Sequence, residues 1–138
     1  MTPTPYLFFD GNCREALTAY AEVFGGKIEM MMTYGDMPPG EMDIPEERKD
    51  WIAHGAVEFD GGLLMASDDP SDEFQPMKGS SVHMDLPTVA AGKAAFDALA
   101  EGGEVGMPYQ KTFWTPGFGV LVDRFGIRWM ISTSEPLG

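Results

Sequence analysis

Between Ser81 and Leu86 apolar and polar positions alternate, with Val82, Met84 and Leu86 on one side of an extended strand and Ser81, His83 and Asp85 on the other. The same period places Leu7 and Phe9 on one face near the start of the chain and leaves Tyr6, Phe8 and Asp10 opposite. After each of these strands the period lengthens to that of a helix. Ala16, Leu17, Tyr20, Val23 and Phe24 recur at three and four residues, behind Asn12 as an N-cap and Glu15 as its capping-box partner. Gly25-Gly26 closes that helix, because glycine tolerates the left-handed C-cap. A second helix begins near Thr88, buries Val89, Phe96, Leu99 and Ala100, and stops at Gly102-Gly103.

The two stretches are copies of one plan. With Tyr6-Leu7-Phe8-Phe9 laid over His83-Met84-Asp85-Leu86, Ala21 falls on Ala98, Gly25-Gly26 on Gly102-Gly103, Ile28 on Val105 and Met30 on Met107, without a gap. Asp60-Gly61-Gly62-Leu63-Leu64-Met65-Ala66-Ser67 is echoed from Asp123 to Ser132. Further strands are expected from Lys27 to Tyr34, Ala53 to Phe59, Leu63 to Ser67, Met107 to Phe113, Gly119 to Val122 and Ile127 to Ser132, with a short helix from Pro45 through Trp51. Such a repeat predicts an α+β fold of two pseudo-symmetric βαβββ modules forming a curved mixed sheet around a cleft. Residues 1–138 then make a single domain, with module 1 over about 1–70, a linker over about 68–79 and module 2 over about 80–134.

Charge narrows the partners. A net charge of −13 repels a phosphate backbone and an anionic membrane, so neither nucleic acid nor membrane is expected, and a neutral or cationic ligand is favoured. One cysteine, Cys13, rules out an internal disulfide framework, and the N-terminus lacks the basic flank and apolar stretch of a signal peptide, so the expected compartment is the cytoplasm.

Candidate chemistry is sparse. No phosphate-cradling glycine loop and no nucleophile elbow occurs, and the glycines of Gly117-Phe118-Gly119 suit backbone geometry better than phosphate. Cys13 falls in the first turn of a helix, where the helix dipole lowers a thiol pKa, but no base is placed beside it. His54 and His83 are the two imidazoles; Glu58 follows the first by four residues and Asp85 the second by two, the available nuclei for a metal site. Tyr6, Phe8, Tyr34, Tyr109, Phe113, Trp114, Phe118 and Trp129 form a set dense enough to line a cavity, or to seal a sheet or dimer interface.

Several segments together carry a resemblance: Tyr6-Leu7-Phe8-Phe9-Asp10-Gly11-Asn12-Cys13-Arg14-Glu15-Ala16, Tyr20 through Met32, Tyr34-Gly35-Asp36-Met37-Pro38, Leu64-Met65-Ala66-Ser67-Asp68, and Gln110-Lys111-Thr112-Phe113-Trp114 through Trp129-Met130-Ile131. With these the chain resembles the vicinal oxygen chelate superfamily of glyoxalase, bleomycin resistance and extradiol dioxygenase proteins, and within it the PhnB-like, 3-demethylubiquinone methyltransferase-like branch. The resemblance implies a glyoxalase-like fold, often a homodimer, and a divalent metal held in active members by the first and last strands of each module. Those positions fall near Pro5 or Tyr6, Ser81 or His83, Met65 and Met130. A proline, an aromatic and two thioethers are poor ligands for such ions, which leaves His83 as a weak metal candidate and no cofactor expected. No strand-loop-helix for S-adenosylmethionine accompanies the methyltransferase label.

The expected function is therefore a metal-independent protein that binds a small, partly apolar molecule through Tyr6, Phe8, Met65, His83, Trp114 and Met130, with no catalytic residue assigned. The alternative is a metal-dependent lyase, isomerase or dioxygenase-type enzyme with a rearranged site, in which His83 is joined by His54, Asp85, Glu58 or Glu41. A second alternative is a protein-interaction module that buries its aromatic face against a partner.

Overall fold

The computed structural model describes all of residues 1–138, which divide into two compact units, Met1–Pro76 and Met77–Gly138. In the first unit β1 (Tyr6–Phe9) leads into α1 (Cys13–Phe24), followed by β2 (Lys27–Thr33), β3 (Ile52–Phe59) and β4 (Gly62–Asp68). In the second, β5 (Val82–Leu86) leads into α2 (Val89–Ala100), followed by β6 (Glu104–Gln110), β7 (Phe118–Val122) and β8 (Arg128–Thr133). Each unit is a four-stranded mixed sheet carrying one helix, ordered β1-β4-β3-β2 and β5-β8-β7-β6. The first and last strands of each unit run parallel and the remaining pairs antiparallel. This is the α+β architecture of two similar βαβββ modules.

Alternation decides which side of each sheet takes the helix. Leu7, Phe9, Val57, Leu64 and Ala66 are buried in the first unit with Ala16, Leu17 and Tyr20 of α1. Val82, Leu121, Trp129 and Ile131 are buried in the second with Ala95, Phe96 and Leu99 of α2. Each of the larger apolar side chains among these contributes roughly 1.5–3 kcal/mol on leaving water, and each alanine less. No helix is long and apolar enough to cross a membrane.

The start of α1 departs from the expected cap. Asn12 makes no side-chain capping bond; instead the backbone N–H groups of Gly11 and Cys13 donate to Asp68 Oδ1, at 2.9 and 3.0 Å, from the end of β4. The Ile52 N–H donates to the other oxygen of the same carboxylate at 2.9 Å, so one buried side chain ties together the helix entry, β3 and β4. Gly25, at φ 65°, does close α1 in the left-handed conformation, while Thr88 caps α2 by accepting from the Ala91 N–H.

Two other expectations shift. The helix after Pro45 contracts to a single 3-10 turn, Glu46–Arg48, whose arginine donates to the carbonyls of Pro70 and Ser71 and pairs with Asp72 at 3.1 Å. The strand expected from Met107 to Phe113 instead covers Glu104–Gln110, because Thr112 turns the chain by accepting from, and donating to, Thr115. Gly119 is required here for close packing: a Cβ there would lie 2.6 Å from the Phe96 ring and 2.9 Å from the Tyr109 backbone.

Candidate functional site

With one face of each sheet committed to a helix, the other carries whatever chemistry the unit displays. In the first unit Tyr6 pairs in register with Met65, and Phe8 with Ser67, so the expected trio Tyr6, Phe8 and Met65 shares one face. Tyr6 and Phe8 are both exposed, with ring centroids 5.2 Å apart. His54 joins them, its ring stacked on Tyr6 at 5.7 Å and its Nδ1 lying 3.1 Å from the Tyr6 hydroxyl. Glu58 is four residues along the strand from His54, about 13 Å away. It bonds to Glu29 instead, which raises its carboxyl above the ordinary glutamate value.

In the second unit the corresponding face is more polar. His83 pairs with Met130 and Asp85 with Ser132, and the Ser132 hydroxyl bridges the two β5 side chains at 2.7 Å on each side. A serine has one hydroxyl proton, and here it is given to Asp85 Oδ1; His83 Nε2 therefore donates to Ser132 Oγ and the imidazole keeps Nδ1 for a ligand. Val120 and Phe118 stand opposite Met130 and Ser132 in register, extending the face over β7. Trp114 reaches it from the loop before β7, edge-on to Phe118 at 5.4 Å, and Phe113 packs against Trp114 at 4.8 Å. His83, Met130 and Trp114 thus gather around one sheet face of the second unit, and Tyr6, Phe8 and Met65 on one face of the first.

Three aromatics expected at a cavity are structural. Tyr34 is buried and its hydroxyl donates to the Asp68 carbonyl at 2.6 Å; desolvation pushes its pKa up to about 12. Tyr109 donates to the Val89 carbonyl, its hydroxyl standing where a side chain at Gly92 or Gly117 would go. Trp129 is fully buried and its indole N–H donates to Asp123 Oδ2 at 2.8 Å. The Tyr109 packing also gives Gly117 a backbone role, as its spacing suggested.

Ser132 was not singled out from the sequence. Ser132 carries a signal all the same, because it follows Met130 by two residues and repeats Ser67 of the first copy.

Cys13 is fully buried, and desolvation, with the Asp68 carboxylate adding to it, drives its pKa upward rather than downward. Such a thiol is held protonated in the fold and is not a nucleophile. Native protein at pH 8 is expected to resist iodoacetamide while guanidinium-unfolded protein takes one alkyl group, read by intact mass. Since the folded pKa lies above the unfolded one, the stabilising contribution is complete below about pH 9 and is lost as the pH rises beyond it. Rapid labelling of folded protein at pH 8 contradicts the assignment.

A divalent metal does not fit these residues. No three His, Cys, Asp or Glu side chains converge. The last-strand positions offer the thioethers of Met65 and Met130, which leaves His83 Nδ1 as a lone nitrogen donor.

Residues 2–132 match the family described as 3-demethylubiquinone-9 3-methyltransferase. Protein YjdN of Escherichia coli (strain K12) is 34% identical over 142 residues, covering 96% of this chain and 95% of that protein. The crystal structure of protein PA1353 from Pseudomonas aeruginosa is 39% identical, with a TM-score of 0.89 and 99% of both chains covered. At lower identity the likeness concerns the fold. A putative 3-demethylubiquinone-9 3-methyltransferase, PhnB protein, from Bacillus cereus is 23% identical with a TM-score of 0.80, covering 97% of this chain and all of that one. A glyoxylase/bleomycin resistance protein/dioxygenase domain from Frankia sp. EAN1pec is 12% identical with a TM-score of 0.62, covering all of this chain and 94% of that one.

Proposed function

Starting from a chain that belongs to the PhnB-like 3-demethylubiquinone-9 3-methyltransferase family and carries the glyoxalase-superfamily fold, we propose that it is a metal-independent binding protein for a small, partly apolar molecule in the cytoplasm. The observation that carries this reading is the donor set on the second unit's free face. Where a metal centre needs about three hard or borderline ligands, this chain places the Met130 thioether beside a single imidazole, and no three His, Cys, Asp or Glu side chains gather. The same face suits an organic ligand, with Met130, Phe118 and Trp114 as apolar surface and His83 Nδ1 as a hydrogen-bonding group. Tyr6, Phe8 and Met65 give the first unit a comparable surface, more aromatic and less polar.

Methyl transfer is not carried over from the family's name. A donor such as S-adenosylmethionine needs a cradle for its charged tail, and the glycine pair nearest that description, Gly117 and Gly119, is filled by Tyr109 and Phe96.

Native mass spectrometry of untagged protein against the denatured mass is the test. A metal-free homodimer carrying a small organic adduct is the expected result, and His83→Ala or Trp114→Ala is expected to reduce retention of the adduct roughly tenfold, the size of one lost hydrogen bond or aromatic contact. One tightly held divalent ion per subunit sinks the reading in favour of a metal enzyme. The exposed pair Phe113 and Trp114, at 89% and 52% accessibility, favours a second reading as an interaction module. Adduct retention unchanged in both variants, with a larger assembly lost in Trp114→Ala, supports that one.

A further inference from the structure

Three side chains on the free face of the second unit form a hydrogen-bonded chain that binding alone does not require. Ser132 Oγ donates to Asp85 Oδ1 at 2.7 Å, and His83 Nε2 donates to Ser132 Oγ at 2.7 Å. The order differs from that of a nucleophilic triad, where the imidazole sits between the hydroxyl and the carboxylate. Here the hydroxyl sits in the middle, 8% exposed, with its proton already given to Asp85. Ser132 is therefore a bridge and not a nucleophile, and the end of the chain left for chemistry is His83 Nδ1. His83 itself is exposed on β5, within reach of a molecule in solvent.

The far end of the chain is a carboxylate without a cation. The ion pairs of the protein are Arg48–Asp72 and Lys93–Asp97, and Asp85 takes part in neither. Through Ser132 the carboxylate holds the tautomer whose lone pair is on Nδ1, and it faces the imidazolium that proton uptake creates.

We infer that His83 is a general base, working at Nδ1 on a neutral, apolar carbon acid seated over Met130, with Ser132 and Asp85 as its positioning residues. This rests on the binding reading above and adds an activity at the same face. Met130 lies beside His83 in register and Val120 beside Met130, so apolar surface begins one strand spacing, about 5 Å, from the imidazole. That suits a flat body whose acidic C–H approaches Nδ1 to about 3 Å. An uncharged substrate also avoids the repulsion that a net charge of −13 imposes on an anion. The step is a proton transfer. The C–H bond breaks, its proton goes to Nδ1, and its electron pair passes into an adjacent carbonyl as an enolate. The imidazolium then returns the proton to another carbon of the same conjugated system. Substrate and product are isomers, and the step consumes no oxidant, reductant or water.

The probe is 5-nitrobenzisoxazole, a flat, neutral carbon acid whose proton goes to a base while its N–O bond breaks and the electron pair ends on a coloured phenolate. The full chain is expected to convert it with saturation, roughly 100-fold faster than free imidazole at the same concentration. His83→Ala is expected to lose that rate and to regain part of it when imidazole is added. Ser132→Ala and Asp85→Asn are expected to lower kcat roughly tenfold with KM little changed, and Ser132→Thr to keep most of the rate. A merely structural bridge would instead lower activity with the folded fraction. Wild-type kcat in both Ser132→Ala and Asp85→Asn overturns their positioning roles. Probe binding seen in the Met130 methyl signal by NMR, with equal turnover in wild type and His83→Ala, overturns the inference and leaves the binding reading standing. If the probe neither turns over nor moves that signal, both readings fall at this face.

Discussion

Asp68→Ala is expected to destabilise the first unit by roughly 3–6 kcal/mol, enough to unfold much of it at 37 °C given the 5–15 kcal/mol typical of a domain. The carboxylate is 1% exposed and accepts from the N–H groups of Gly11, Cys13 and Ile52. Removing it strands three backbone donors, each costing about 1–3 kcal/mol when left without a partner in the interior. Alanine also leaves the first turn of α1 without its side-chain acceptor, since Asn12 does not provide one. Hydrogen exchange at the Cys13 and Ile52 amides, read beside guanidinium denaturation, checks this. Asp68→Asn keeps the shape but turns one acceptor into a donor, so it is expected to fall between alanine and wild type. A midpoint for Asp68→Ala equal to wild type removes the carboxylate from its central place.

What could be read from the chain, and what could not, divides by sequence distance. The strands, both helices and the Gly25 cap rest on alternation, on helical spacing and on glycine's left-handed freedom, all set within a few residues. Asp68 looked like the first acid of a linker because its partners lie 16, 55 and 57 residues away. Nothing local distinguishes it from the acids that merely solvate the surface. The shared faces of Tyr6 with Phe8 and of His83 with Asp85 follow from period two, so the candidate residues were legible in part. Ser132 bridging His83 to Asp85 depends on the parallel register of β5 and β8, which alternation leaves open. Tyr34, Tyr109 and Trp129 were drawn toward a cavity by their aromaticity, when each instead spends its polar atom on an internal acceptor.

Trp129→Ala separates those two roles for an aromatic. A cavity-lining tryptophan can be cut back with little loss of stability, whereas a packed one leaves a void. Trp129 has no exposed surface, so its removal is expected to cost about 3–5 kcal/mol. It also deprives Asp123 Oδ2 of its indole donor, although Oδ1 keeps the N–H groups of Phe125 and Ile127 at 2.9 Å. Trp129→Phe retains much of the volume and isolates that bond, at roughly 1–3 kcal/mol. The consequence reaches the free face of the sheet, because Arg128 and Met130 flank Trp129 on β8 and point the other way. A loosened β8 is therefore expected to weaken retention of the proposed ligand in proportion to the fraction unfolded. Trp114→Ala is expected to do the reverse, sparing the thermal midpoint, since Trp114 is 52% exposed, and reducing binding. Should Trp129→Ala keep a wild-type midpoint and lose binding alone, Trp129 belongs to the site and the core of the second unit has been misassigned.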